Sequence, residues 1–291
     1  MNQSELKPAF TKKMALCPYE HLFIYHINGV VRDDAEEEFG ESFIGSWVED
    51  SYSFLFFNEP SPEEIDQFLG RHRNLSLIED YCFSYDQWQG GDQDVVKVEK
   101  LRIIPPWREC ASQEDMIDIL LDPGVVFGNA LHPTTRDCLK AILIAADEKS
   151  FSHVLDIGTG TGILALAAAY LGAASVIAID LNPLCVKTAE WNVELNRMGN
   201  IIKVFEGAAE ESIDEEADLV LANIHYDVIL KLLEKEGFRN KRIIILSGLM
   251  RSQARDLKYR IKKHDLVLLR EWDHEMTWHT MMIGRNEDYD A

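Results

Sequence analysis

The stretch VLDIGTGTGILAL, Val154 to Leu166, decides how the rest of the chain is read. A hydrophobic run ends in Asp156, passes Gly158, Gly160 and Gly162 on alternate positions, and re-enters a hydrophobic run. HVLDIG is short and β-branched, so it reads as a strand; GILALAAAYLG is rich in helix formers and closes on Gly172, a C-terminal stop. Glycines between a strand and a helix are required where a Cβ would strike a ligand or forbid the turn.

Outward from this segment the two periods alternate. SVIAID is a strand, and NPLCVKTAEWNVELNRMG a helix with Asn182 as N-cap, Pro183 in its first turn and Gly199 at its end. IIKVFEG and DLVLANI are strands, YDVILKLLEKEGF an amphipathic helix, RIIILSGL a buried strand and SQARDLKYRIKKH a helix. DLVLLREWD and TWHTMMIGR have no helix between them and should pair as a hairpin. Strands alternating with helices give a parallel sheet covered on both faces by right-handed crossovers. The expected fold is therefore α/β and Rossmann-like, a seven-stranded sheet with an antiparallel terminal hairpin. The run GILALAAAYLGAASVIAI has the length of a membrane span, but Gly172 divides it and Asp156 and Asp180 bracket it, so helix plus buried strand explains it.

The first hundred residues carry another pattern. LFIYHI, SYSFLFF and YCFSYDQW are strand-like, and SPEEIDQFLG is a helix opened by Ser61 and Pro62, which suggests a small N-terminal α+β domain. QGGDQDVVKVEKLRIIPPW adds a glycine pair, a turn, a strand and a proline pair. The boundary is placed near Trp107, giving residues 1–107 to the first domain, 108–121 to a linker and 122–291 to the larger domain. The acidic end NEDYDA is expected to fray.

The formal net charge of -21 repels phosphate backbones, so no direct nucleic-acid binding is expected, whereas a basic protein partner is attracted. Cys17, Cys82, Cys110, Cys138 and Cys185 are scattered and never form CxxC, which argues against a metal site or a disulfide framework and for a reducing compartment. The N-terminal stretch has no apolar signal core, so a cytoplasmic, membrane-free protein is expected, acting as a monomer.

Gly158, Gly160 and Gly162 make GxGxG, and Ile163 stands where the dinucleotide fingerprint GxGxxG needs its last glycine. No pyrophosphate pattern is met, which excludes a nicotinamide dehydrogenase. With Asp156 ahead of it, the loop fits S-adenosylmethionine, which has no phosphates to cradle. Asp180 ends the next strand, where a carboxylate can accept both ribose hydroxyls of a nucleoside; its alternative role is a charge at the N-terminus of the following helix. Asn223 ends LVLAN at the carboxyl end of a further strand, or caps the helix after it.

These residues resemble a known family. DPGVVFGNALHPTTRDCL (Asp122 to Leu139), LDIGTGTGILALAA, AIDLNP and LANI look like the ribosomal protein L11 methyltransferases, the PrmA family, from about Val98 to Arg285, and LRIIPPW matches the segment before that family's catalytic domain. The family's upstream loop reads DPG-hydrophobic-AFGTGTH-x-TT; Asn129, Ala130 and Leu131 depart from it in GNALH, a stiffer and less glycine-like loop. Over the first ninety residues the likeness lies mainly in element order. The resemblance implies a class I methyltransferase fold, S-adenosylmethionine as cofactor with S-adenosylhomocysteine as product and no metal, and methylation of lysine side chains and the N-terminal amine of a basic ribosomal protein, L11. It assigns cofactor binding to Thr135, Gly158, Asp180 and Asn223, to which the glycine loop itself adds Asp156 and Gly160, with Phe127 and His132 lining the cofactor or the entry loop. Asn223 is also the catalytic candidate, orienting the acceptor amine.

Methyl transfer is an in-line displacement that needs no protein nucleophile, only alignment and an uncharged amine. His132, His225 and His279 are possible proton acceptors whose ordinary reading is structural, and Trp272 and Trp278 beside the hairpin turn read as packing. The alternatives are an enzyme of the same fold acting on another protein or a small amine, a nucleic-acid methyltransferase, and a non-catalytic binding module. ANIH lacks the paired prolines of adenine-amine methyltransferases, and intact Gly158, Gly160, Asp180 and Asn223 argue against a module without activity.

Overall fold

The computed structural model describes residues 16–32, 37–148 and 150–285. The stretch read for a signal core (1–15) and the acidic end read as frayed (286–291) lie outside the described residues. The chain divides into two compact units, one holding residues up to Asp94 with Pro106–Glu109, the other Val95–Pro105 with Cys110 onward.

The smaller unit is an antiparallel sheet, order β2-β3-β1-β4, built from β1 (His21–Asn28), β2 (Phe43–Glu49), β3 (Tyr52–Phe57) and β4 (Ser76–Ser84). Tyr25, Ile27, Leu55 and Phe57 alternate onto one face and pack against Ile65 and Phe68 of α1 (Pro62–Arg71), one helical turn apart. Ser61 takes the N-cap position of α1 without capping it: its Oγ donates to Glu59 O at 3.2 Å and shares a hydrogen bond with Ser42. The segment YCFSYDQW is not strand throughout. Ser84 and Gln87 form a reciprocal capping box that turns Tyr85–Gln89 into a short helix, α2.

The larger unit carries the seven-stranded sheet expected from the sequence. Its strands are β8 (His153–Ile157), β9 (Ser175–Asp180), β10 (Ile202–Glu206), β11 (Leu219–Asn223), β12 (Ile243–Met250), β13 (Leu266–His274) and β14 (Trp278–Arg285), in the order β10-β9-β8-β11-β12-β14-β13. β8 to β12 are parallel, and β14 enters antiparallel between β12 and β13. Successive residues face opposite sides. Val154, Leu219, Leu221, Ile243 and Ile245 join one core, with α3 (Pro133–Glu148) and α4 (Ile163–Tyr170); Leu155, Val220, Ala222, Ile244 and Leu246 join the other, with α7 (Tyr226–Leu233) and α9 (Arg251–Lys262). The long apolar run is α4 followed by β9, and no helix among the described residues is long and apolar enough to cross a membrane.

Three further elements complete this sheet: α5 (Pro183–Leu195), capped by Asn182 Oδ1 on Leu184 N at 2.9 Å, and the short α6 (Ala209–Ser212) and α8 (Glu236–Arg239). α5 stops at Leu195, four residues before Gly199, and the expected helix YDVILKLLEKEGF breaks after Leu233 into α7 and α8. A small second sheet joins β5 (Val96–Val98), β6 (Leu101–Ile104) and β7 (Ile117–Leu120). It differs from the sequence reading of 1–107, a linker at 108–121 and 122–291: β5 and β6 group with the larger unit, and β7 lies inside the expected linker. Arg102, 3% exposed, fixes this sheet with a bidentate pair to Asp118 at 2.6 and 2.7 Å and a bond to Ala111 O at 3.0 Å.

Candidate functional site

The strand order turns back between β8 and β11, because the chain runs outward through β9 and β10 before returning to the other side of β8. Such a reversal opens a crevice at the carboxyl ends of the strands, the usual ligand position in this kind of sheet. The glycine loop, Asp180 and Asn223 all fall there.

Gly158 N and Thr159 N donate to Ile179 O at 2.8 and 3.0 Å, tying the loop to the end of β9. Gly158 and Gly160 have φ of +68° and +55°. A Cβ on Gly158 would collide with Ile224, and one on Gly160 would stand 2.6 Å from Phe127 O, so both glycines are needed for close approach as well as for conformation.

Asp156 is buried beneath the loop. Its Oδ2 accepts from Thr159 Oγ1 at 2.6 Å and from Ala165 N at 3.2 Å, while Oδ1 has no hydrogen-bond partner among the described residues. Burial pushes this carboxyl up to about 7, against the two hydrogen bonds, with a further push from Asp180. Asp156 therefore braces the loop from below. Asp180 is half-buried at the end of β9, with Oδ2 accepting from Gly160 N and Oδ1 from Asn182 N, both at 3.0 Å. Burial raises its carboxyl too, opposed by those backbone bonds. The Cys185 thiol and the Leu181 backbone N–H also hydrogen-bond this carboxylate.

The segment Asp122 to His132 lies against the glycine loop. Phe127 O accepts from Thr161 N at 3.3 Å and Gly128 O from Thr161 Oγ1 at 2.8 Å. Asn192 on α5, fully buried, accepts from Asp122 N and donates to Asp122 O and Thr161 O, at 2.8, 2.8 and 2.9 Å. In the departing GNALH stretch Asn129 Oδ1 accepts from Leu131 N at 3.0 Å, and Ala130 takes φ +63° while fully buried.

Of the two threonines of HPTT, Thr134 is the one brought to Asn223: Asn223 Nδ2 donates to Thr134 Oγ1 at 3.3 Å. Thr135 is buried in α3, and its Oγ1 has no hydrogen-bond partner among the described residues. Thr134 Oγ1 also meets His132 Nδ1 at 2.7 Å, and the His132 ring packs edgewise on Phe127 and Trp278, centroids 5.4 and 5.1 Å apart. Gly248, φ +79°, lies on the far side, where a Cβ would stand 3.2 Å from Asn223 Oδ1.

Burial lowers the pKa of the His132 imidazole, and of the other histidines His274 lies near enough for its charge to add to that shift. His225 is exposed at the N-cap of α7, and His279 on β14 pairs with Glu271 at 3.1 Å. Trp272 packs on the core, as expected. Thr134, Asn192 and Gly248 were not singled out in the sequence. Thr134 sits inside a motif that pointed to its neighbour, whereas Asn192 and Gly248 occupy ordinary helix and strand-end positions with no local signature. Among the described residues no group of three or more His, Cys, Asp and Glu side chains is arranged to hold a metal.

A glycine loop after the first strand, an acid after the second and a polar residue after the fourth, on a sheet whose last strand enters antiparallel, define a class I methyltransferase fold. The family model for ribosomal protein L11 methyltransferase (PrmA) matches residues 86–286, so the chain belongs to that family. A ribosomal protein L11 methyltransferase of an Exiguobacterium species is 43% identical over 163 residues, covering 56% of this chain and 51% of the relative. That of Geobacillus kaustophilus is 40% identical over 179 residues, covering 59% and 55%. The chain thus spans about half the length of the curated relatives it matches. The crystal structure of a ribosomal protein L11 methylase from Lactobacillus delbrueckii subsp. bulgaricus superposes with a TM-score of 0.59 at 30% identity, over 66% of this chain and 98% of that one.

Proposed function

We propose that this protein transfers methyl groups from S-adenosylmethionine to amino groups, lysine side chains and the N-terminal amine, of ribosomal protein L11. The observation that carries the reading is the convergence of the Gly158–Gly160 loop, Asp180 and Asn223 at one reversal of the sheet, in a chain of the PrmA family.

The residues fit the cofactor. Two positive-φ glycines let the backbone approach a ligand closely, and Asp180 presents a carboxylate held in place by Gly160 N and Asn182 N. Gly158, Gly160 and Asp180 would hold the nucleoside, with Asp156 bracing the loop beneath them and Phe127, 48% exposed, beside it. When bound, the cofactor supplies an electrophilic methyl on a positively charged sulfur.

The chain's own task is to present a neutral amine. A lysine with pKa about 10.4 is uncharged only about once in a few thousand molecules at pH 7, which costs roughly 4–5 kcal/mol. Removing the amine from water lowers that cost, because desolvation disfavours the ammonium. Asn223 then accepts an N–H of the amine and directs its lone pair. Among the described residues no strongly basic side chain hydrogen-bonds to Asn223, so in this reading the amine gives up its proton to solvent before transfer.

The small N-terminal unit, most of which lies before the family match at residue 86, is read as the grip on the substrate protein. The same observation favours a second reading, an acceptor protein other than L11, because recognition by that unit is what the family likeness does not cover. Tritium-labelled S-adenosylmethionine incubated with the enzyme and undermethylated ribosomes tests both. Label in the L11 band supports the first reading, label in another protein the second, and label in RNA alone contradicts both.

A further inference from the structure

His132, Thr134 and Asn223 form one chain of hydrogen bonds at the crevice. Asn223 Nδ2 lies 3.3 Å from Thr134 Oγ1, and Thr134 Oγ1 lies 2.7 Å from His132 Nδ1. The backbone N–H of Thr134 also reaches His132 Nδ1, at 3.3 Å. A backbone N–H can only donate, so Nδ1 carries no proton, and the neutral ring holds its proton on Nε2.

The direction of the whole chain follows. With Nδ1 accepting, the Thr134 hydroxyl gives it its single proton and turns lone pairs toward Asn223. Lone pairs select the Nδ2 end of the Asn223 amide, which leaves Oδ1 on the opposite side, where Gly248 has no side chain to cover it. Phe127 and Trp278 hold the imidazole ring in place from its two flanks.

We propose that His132, acting through Thr134, is a positioning residue that fixes the Asn223 amide with Oδ1 as the acceptor for the substrate amine. This rests on the reading of Asn223 as the group that orients the amine. An amide turned the other way would donate an N–H to the amine lone pair and block the electrons that must attack the methyl. Thr134 and His132 touch neither substrate nor cofactor in this account; they set which end of Asn223 does.

The test has one arm that needs no catalysis. Long-range ¹⁵N–¹H correlation spectra of the free protein at pH 8 should show His132 protonated on Nε2, and Thr134→Val should shift the Asn223 side-chain amide resonances while Thr134→Ser should not. A His132 protonated on Nδ1, or unshifted Asn223 resonances in Thr134→Val, would overturn the proposal. The second arm is kinetic. Thr134→Val should lower kcat about 10–100-fold with KM little changed, and Thr134→Ser should restore kcat, as expected for misdirection of a reacting group. A kcat equal to that of the parent in Thr134→Val would also overturn it. If the parent methylates no amine, the methyltransferase reading fails by itself, and the spectra still decide the positioning role.

Discussion

Asn192 bonds to the backbone of Asp122 in both directions, accepting from its N–H and donating to its carbonyl, each at 2.8 Å. A second bond from the same amide to Thr161 O at 2.9 Å makes Asn192 the clasp between the DPG segment and the glycine loop. Asn192→Leu keeps the volume but leaves three backbone polar groups without their partner, a loss of about 2–4 kcal/mol. Urea unfolding should show a lowered midpoint with unchanged slope, and cofactor affinity should fall because the loop it shapes is released.

Asp180→Ala removes the proposed ribose acceptor and the cap on Gly160 N and Asn182 N together. Two charge-assisted hydrogen bonds to the ligand correspond to about 2–4 kcal/mol, or roughly 30- to 1000-fold in affinity. Isothermal titration with S-adenosylhomocysteine measures this. An unchanged dissociation constant would place the ribose elsewhere.

Asp156 carries a pH dependence whose sign is fixed by burial. Its carboxyl stands at about 7 in the fold against an ordinary 3.8. An acid raised on folding binds its proton more tightly in the native state, so its stabilising share is complete below about pH 4 and lost as pH rises through about 7. Between those limits the parent should lose about 4 kcal/mol relative to Asp156→Asn, which cannot titrate. Unfolding curves for both proteins at several pH values between 4 and 8 should therefore converge or cross. Parallel curves would show that Asp156 is ionised throughout.

Ala130 is buried with φ +63°, at the position where the family's GTGTH loop has its second glycine. A left-handed conformation costs an L-residue roughly 1–2 kcal/mol, and part of the gain from glycine is returned as unfolded-chain entropy. Ala130→Gly should stabilise the protein by about 0.5–1 kcal/mol, seen as a raised Tm. A lowered Tm would mean that the methyl's packing outweighs the strain.

Much of the larger unit was legible because its signals are local. Strands β8 to β12 are short apolar runs between glycines and caps, and the GxGxG loop, Asp180 and Asn223 stand at strand ends where the crevice of such a sheet must form. What escaped depends on distant partners. Thr134 meets Asn223 only because α3 turns its hydroxyl that way, whereas the neighbouring Thr135 hydroxyl finds no partner among the described residues. Asn192 gains its role from Asp122, seventy residues away in sequence. β7 was read as linker because four residues, IDIL, carry little pattern until β6 pairs with them. In YCFSYDQW the aromatic content suggested strand, but the Ser84–Gln87 capping box prevails.

Intact-mass spectrometry of purified, unmethylated ribosomal protein L11, incubated with this protein and S-adenosylmethionine, tests the central claim most directly. The account predicts mass gains in whole steps of one methyl, about 14 Da each, lost when Asn223→Ala replaces the parent. No mass gain from a parent protein that binds the cofactor would contradict L11 as the acceptor.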